Sequence, residues 1–332
     1  MTVDFINVGQ GNAVLVSFPN GQFMLADCGS QKTSLEGKPY KNAQKYINTV
    51  VGDKSIDIVV LSHGDTDHVA FIPCIKQAQN PDYLHYVGER RDYSKEVWDW
   101  IKSKGNAAVK KCGSAFCYIK GFEGTTNPSI GFCTDESVQV SVLSAACGMN
   151  GNSDSIVLAL TYGDCQVILP GDADTVTETE ILRTCKPGLD KLNKNRVLMA
   201  GHHGSAGSTS EEWVDALKPM IGVFSASGKH KTYGHPHCDV VDMLARHMKD
   251  DAEEHVIVCA VGNPPIYAGR IVKKGIFLTG KNGDIRFETD GKEYRLMAST
   301  EGTVVLAVEP NPFAGIIANP PWADRRRSGA SR

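Results

Sequence analysis

Apolar positions along the chain fall in short runs bounded by polar turns, with amphipathic stretches between them. Residues 3–8 and 13–18 are β-rich and flank Gly9-Gln10-Gly11-Asn12, which predicts an opening hairpin closed by a tight turn. A third strand over 22–26 ends at Asp27-Cys28-Gly29, and a polar stretch leads to a helix over 41–50. Residues 57–61 read as a buried strand delivering Ser62-His63-Gly64-Asp65-Thr66-Asp67-His68, followed by a helix over 69–79. From 80 to 135 the periodicity is weak, apart from an amphipathic helix over 94–104 carrying Trp98 and Trp100. Strands return at 138–143, 156–162 and 165–169, the last two joined by the two-residue turn Gly163-Asp164. A helix over 177–184, a strand over 196–200, a helix over 210–217, a strand over 221–225 and a helix over 238–249 follow. Short strands around 256–260 and 284–297 close the pattern. This alternation predicts an α/β chain.

Length and composition narrow the picture. The 332 residues suffice for a sizeable core, and 35 Lys plus Arg against 38 Asp plus Glu leave a net charge of −3. No global basic field draws the chain onto long nucleic acid, although a local basic groove stays open. The ten cysteines contain no C-x-x-C pair and the N-terminus lacks a secretory pattern, so the thiols are expected to be reduced and the protein cytoplasmic. No apolar run reaches the roughly 18–20 residues of a membrane span, so no membrane association is expected. The last twelve residues, with Arg325-Arg326-Arg327, read as a flexible basic tail.

The chemistry concentrates after strands. His63, Asp65, Asp67 and His68 crowd one turn, and packing gives no reason for that crowding. Imidazoles and carboxylates are the usual ligands of zinc or manganese, and a turn fans alternate side chains toward neighbouring ions. Pro170-Gly171-Asp172-Ala173-Asp174, Gly201-His202-His203-Gly204-Ser205 and Tyr233-Gly234-His235-Pro236-His237 also follow strands. Alone, the Gly-Asp turn would read as an ordinary loop. Together the clusters bring His and Asp to one sheet edge, where open α/β folds place their sites.

These residues resemble a known family. His63-Gly64-Asp65-Thr66-Asp67-His68 matches the H-x-[HD]-x-D-H signature of the metallo-β-lactamase fold. Asn7-Val8-Gly9-Gln10-Gly11, Asp27, residues 152–158, Gly171-Asp172-Ala173 and the two histidine motifs are similar to the hydrolase domain of the DNA-uptake protein ComEC. The resemblance implies a four-layer αββα sandwich over residues 1–297, with 80–135 as an insertion or lid and 298–332 as a C-terminal extension. It implies two divalent ions, Zn²⁺ or Mn²⁺: His63 and Asp65 on the first, Asp67, His68 and His202 on the second, Asp172 bridging. Such ions, about 3.5–4 Å apart, share a hydroxide and stabilise phosphoryl charge. Asp67, His203 and His235 are the expected catalytic groups.

The match has departures. Asn152-Ser153-Asp154-Ser155 stands where most members supply a third histidine, which favours manganese at an oxygen-rich first site, with Asn152, Asp154 or Asp27 as further metal or supporting groups. Asn12 replaces a common Asp and Cys28 a Gly. Ser205, Lys229, Lys231 and His237 offer donors to an anionic substrate. The expected activity is hydrolysis of a phosphodiester in DNA, RNA or a small nucleotide. The alternatives are a non-phosphate ester or thioester hydrolase, or a catalytically weak metal-binding module that recruits a partner protein. A homodimer is also open.

Overall fold

A computed structural model describes residues 1–104, 108–111, 137–145, 151–190, 195–249, 252–300 and 306–307. The chain first lays down β1 (Thr2–Phe5), β2 (Ala13–Ser17) and β3 (Phe23–Cys28) as an antiparallel meander. Helix α1 (Lys38–Val51) then crosses to β4 (Ile58–Leu61), and α2 (Thr66–Val69) leads on to β5 (Tyr83–Tyr86). After α3 (Lys95–Lys102) comes β6 (Ala108–Lys111), and β3 to β6 run parallel. The second sheet is built from β7 (Val138–Ser144), β8 (Val157–Tyr162), β9 (Cys165–Leu169), β10 (Asn195–Met199) and β11 (Ile221–Phe224). Helices α4 (Thr175–Asp190) and α5 (Glu211–Leu217) are interleaved among them, and α6 (Cys238–His247) follows β11. A two-stranded ribbon, β12 (His255–Val261) and β13 (Ile266–Val272), precedes β14 (Gly275–Leu278), which joins the second sheet. The chain returns to the first sheet with β15 (Ile285–Thr289), β16 (Tyr294–Ala298) and β17 (Leu306–Ala307).

Alternate side chains sort into layers. Between the sheets, Phe5, Val16, Met24 and Val60 meet Leu160, Val167, Val223 and Phe277. Outside the first sheet, Leu25, Val59 and Leu84 meet Ile47 of α1 and Trp100 of α3. Outside the second, Ile168, Leu198 and Phe224 meet Ile181, Trp213 and Leu244 of α4, α5 and α6. This is the expected four-layer αββα sandwich. Central strands such as Ile58–Leu61 and Cys165–Leu169 are buried at every position because each face is covered, so they read as nearly continuous apolar runs, the exception being Gln166, which accepts from Arg196 Nε at 2.8 Å. Each fully buried aliphatic or aromatic side chain contributes roughly 1.5–3 kcal/mol to that cohesion.

Several expectations need correction. The segment over 69–79 is not one helix: α2 stops at Val69, and two 3₁₀ turns, Ile72–Cys74 and Lys76–Ala78, follow. Pro73 removes a helical donor and its ring obstructs the preceding turn. The linker between β1 and β2 is a seven-residue loop, 6–12, rather than a tight turn. Cys238 and Cys259 form a disulfide, with Cα atoms 4.9 Å apart across the α6–β12 contact, so these two thiols are not reduced. Strands β13 and β14 fall in a stretch where no strand was expected. Within 80–135, β5 joins the first sheet and α3 covers it, and Phe116 and Tyr118 lie outside the described residues. Leu306–Ala307 of the extension pair with β16, and the basic tail lies outside the described residues. Among the described residues, no helix is long and apolar enough to cross a membrane.

Candidate metal centre

Three parallel strands end at one edge and present their following turns to each other. Leaving β4, Ser62 and His63 lead into α2, whose N-cap is Asp65. The Asp65 side chain makes no capping bond, and its Oδ2 lies 3.6 Å from His63 Nε2. Leaving β9, Gly171 turns with φ +57° and sets Asp172 beneath the same point, 2% exposed, its N–H donated to Ser155 Oγ at 3.1 Å. Leaving β10, His202 (φ 46°) and His203 (φ 57°) are consecutive left-handed residues. That backbone costs roughly 1–2 kcal/mol per non-glycine residue and splays the two imidazoles apart. The following Gly204 has φ +83°, and a Cβ there would come within 2.6 Å of the Phe224 ring. The loop over 6–12 lies against the Thr66–Asp67 turn: a Cβ on Gly11 would sit 2.8 Å from the Asp67 carbonyl oxygen.

Asp172 is the hub. Its Oδ1 lies 2.9 Å from His68 Nε2 and 3.8 Å from His203 Nε2, and its Oδ2 lies 3.7 Å from His63 Nε2 and 3.5 Å from His202 Nε2. Asp67 Oδ2 is 3.4 Å from His203 Nε2. Two groups therefore have metal-binding spacing, His63 with His68 and Asp172, and Asp67 with His68 and His203.

The outer nitrogens of the imidazoles have different partners. His68 Nδ1 faces Asp27 Oδ2 at 2.8 Å, and His203 Nδ1 faces the Ser225 carbonyl at 2.8 Å. Both partners accept, so both Nδ1 atoms carry a proton and both Nε2 atoms face inward, each able to offer its lone pair to a cation. Those two Nε2 atoms are 3.3 Å apart and buried. Two facing lone pairs repel unless a cation or a proton sits between them. In contrast, His202 Nδ1 meets Asn152 Nδ2 at 3.3 Å, and His235 Nδ1 meets Gln10 Nε2 at 3.2 Å. With amide donors on Nδ1, these two rings carry their proton on Nε2.

The electrostatics describe the same pocket with no cation in it, where a proton on an inward nitrogen takes the cation's place. Against the cost of burial, Asp172 and Asp27 hold His68 well above its ordinary pKa, and Asp172 and Asp67 raise His203. Burial likewise opposes ionisation of Asp172 and Asp67, yet the neighbouring histidines hold Asp172 well below the carboxylate range and lower Asp67 too. Burial, followed by the charges of His203 and His202, pushes His235 down to about 3, and burial lowers His202. His63 Nε2 and Asp172 Oδ1 are buried without a hydrogen-bond partner. Buried polar atoms are normally satisfied. Inward lone pairs, ionised carboxylates and orphaned atoms at one point fit divalent cations.

The centre gathers His63, Asp65, Asp67, His68 and Asp172, and revises the histidine pair. The place beside Asp67 and His68 expected for His202 is filled by His203, because the left-handed turn points the second imidazole inward. Asp27 is not among the groups with metal-binding spacing. It sits behind His68, also accepting from Ser62 N and Ser62 Oγ at 2.7 Å and from Asn12 Nδ2 at 3.0 Å. Asn152 supports His202, and Asp154 is half-buried on the same 3₁₀ turn, Gly151–Asp154. His237 caps α6, accepting from Asp239 N at 3.4 Å, and Ser205 Oγ accepts from Gly207 N, so both serve local turns. Lys229 and Lys231 are exposed on the loop after β11. Sequence reasoning missed Gln10 and Ser62 as supports, although Gln10 lay inside a quoted motif.

Two layered sheets with clustered His and Asp at their shared edge define a metal-binding domain of hydrolase type. The sequence profile of the Metallo-beta-lactamase superfamily matches residues 6–228, and the chain belongs to that superfamily, whose members are generally metal-dependent hydrolases. It is 29% identical over 261 residues to ComE operon protein 3 of Bacillus subtilis, and 27% identical over 259 residues to Recombination protein 2 of Haemophilus influenzae. It is 26% identical over 237 residues to Competence protein ComA of Neisseria gonorrhoeae; all three are ComEC-type competence proteins. The matched regions cover 74%, 74% and 69% of this chain but only 30%, 26% and 27% of those relatives. The solved structure of CmlA, a diiron beta-hydroxylase from Streptomyces venezuelae, is similar over 74% of this chain and 50% of its own, with a TM-score of 0.40 and 13% identity.

Proposed function

We propose that this domain is a metal-dependent phosphodiesterase. His63, Asp65 and Asp172 would hold one divalent ion, and Asp67, His68, His203 and Asp172 a second. The observation that carries this reading is the pair of inward Nε2 atoms of His68 and His203, 3.3 Å apart, with Asp172 Oδ1 beside them. Two such ions, Zn²⁺ or Mn²⁺, would polarise a phosphoryl oxygen and make water nucleophilic near neutral pH.

The chain's own groups supply the rest. Asp27 and the Ser225 carbonyl keep the ligand imidazoles in the correct tautomer and orientation. His202 and His235, neutral with the proton on Nε2, offer hydrogen bonds to phosphoryl oxygens as charge develops there. Asp67 keeps a partly solvent-reachable carboxylate, 12% exposed, that can orient the attacking water. The relatives' names tie them to competence and recombination, which supports a nucleic-acid phosphodiester as the bond cleaved.

The test is hydrolysis of bis-p-nitrophenyl phosphate and of labelled single-stranded DNA and RNA, first in metal-free buffer and then with Mn²⁺, Zn²⁺ or Mg²⁺, with Asp67→Ala alongside. Metal-dependent cleavage lost in the variant is expected. No cleavage with any metal, or full activity in Asp67→Ala, overturns the reading.

A further inference from the structure

A cleft of about 500 Å³ lies beside the centre, and its lining is cationic. Lys32, Lys38, Lys41, Lys45, Lys229 and His230 line it. Lys38, Lys41 and Lys45 are spaced by three and four residues on α1, which puts their ammonium groups in one stripe about 10 Å long. The α1 N-terminus opens on the cleft with no acidic residue in its first turn. Among the described residues Lys41 pairs with the exposed Glu36, and no carboxylate pairs with Lys32, Lys38, Lys45 or Lys229. The nearby acid Asp284 is already engaged by the Asn7 N–H and Asn42 Nδ2, both at 2.8 Å.

Two features join this cleft to the metal centre. Gln10 lines the cleft, is 5% exposed, and donates to His235; its Oε1 is buried with no partner among the described residues. Tyr233, 39% exposed, lies outside the lining itself but touches both places, its ring centroid 5.1 Å from that of His230 in the cleft and 6.0 Å from that of His235 at the centre. A cationic groove beside an exposed aromatic ring is how proteins hold a single strand: lysines follow the phosphates and the ring stacks a base.

We propose that the cleft of Lys32, Lys38, Lys41, Lys45 and Lys229, with Tyr233 beside its His230, binds the phosphates of a single-stranded polynucleotide flanking the bond at the metal centre. This rests on the phosphodiesterase reading for what happens at the centre, but the binding can be measured without turnover. The substrate class that follows is a strand several nucleotides long rather than a mononucleotide or a simple diester.

The test is fluorescence anisotropy of labelled dT20 and rU20 with the full chain in EDTA across a salt series, for wild type, Lys38→Gln/Lys41→Gln/Lys45→Gln and Tyr233→Ala. Gln preserves helix propensity, and circular dichroism confirms folding. The log–log salt slope, about −3.5 for five phosphate contacts, should fall to about −1.5 in the triple variant. Tyr233→Ala should weaken binding roughly 5- to 150-fold, and Tyr233→Phe should restore it. An unchanged slope, or polyglutamate of equal charge competing as well as dT20, overturns the proposal. Strand binding without turnover of any diester would retain the cleft and overturn the phosphodiesterase reading instead.

Discussion

His202 and His203 are neighbours in sequence and belong to different regions of the site. His203 lies on the inner side with His68, each backed by an acceptor on Nδ1, each nitrogen pair buried and each ring turning a lone pair inward. On the outer side are His202 and His235, each backed by an amide donor and so carrying its proton on Nε2. The side-chain type is the same on both sides, and the atom behind it decides whether an imidazole is suited to ligate a cation or to donate a hydrogen bond. Farther out, the lysine cleft is a third environment, where exposed charges act on affinity and are open to screening by salt.

That division can be broken experimentally, most severely at the inner side. His203→Ala removes an inward lone pair beside Asp67 and Asp172 and should lower kcat/KM by roughly 10³-fold or more, the worth of several kcal/mol of metal-borne charge stabilisation. His202→Ala removes a donor to the phosphoryl group and should lower kcat by about 10²-fold, with KM for metal unchanged in a titration of activity against Mn²⁺. Asp27→Asn leaves every ligand in place but loosens the His68 tautomer, so metal affinity should fall about 10- to 100-fold by isothermal titration. Equal effects of His202→Ala and His203→Ala on metal titration would abolish the distinction between the two sides. The smallest effect belongs to salt: raising NaCl from about 50 to 200 mM should leave kcat on bis-p-nitrophenyl phosphate within about 2-fold, while weakening a long strand far more.

Contiguity decided what the sequence could disclose. The candidate ligands from His63 to His68 share one turn, and the strands before the site turns are mostly apolar because both faces are covered, so these are legible. Which of His202 and His203 points inward was not, because it depends on two left-handed residues that no spacing announces. The lysines of α1 lie outside every motif and gain meaning only when the helix aligns them beside the loop carrying Lys229. Cys238 and Cys259 are 21 residues apart and meet only through the α6–β12 packing. The helix expected over 69–79 stops short because Pro73 interrupts it.

The central claim is that His203, not His202, completes a two-ion site with Asp67, His68 and Asp172. It is tested most directly by metal content, measured by mass spectrometry after loading with Mn²⁺ or Zn²⁺ and gel filtration. The account predicts about two equivalents per chain in wild type and in His202→Ala, and about one in His203→Ala. Two equivalents retained by His203→Ala, together with loss of an ion from His202→Ala, would contradict it.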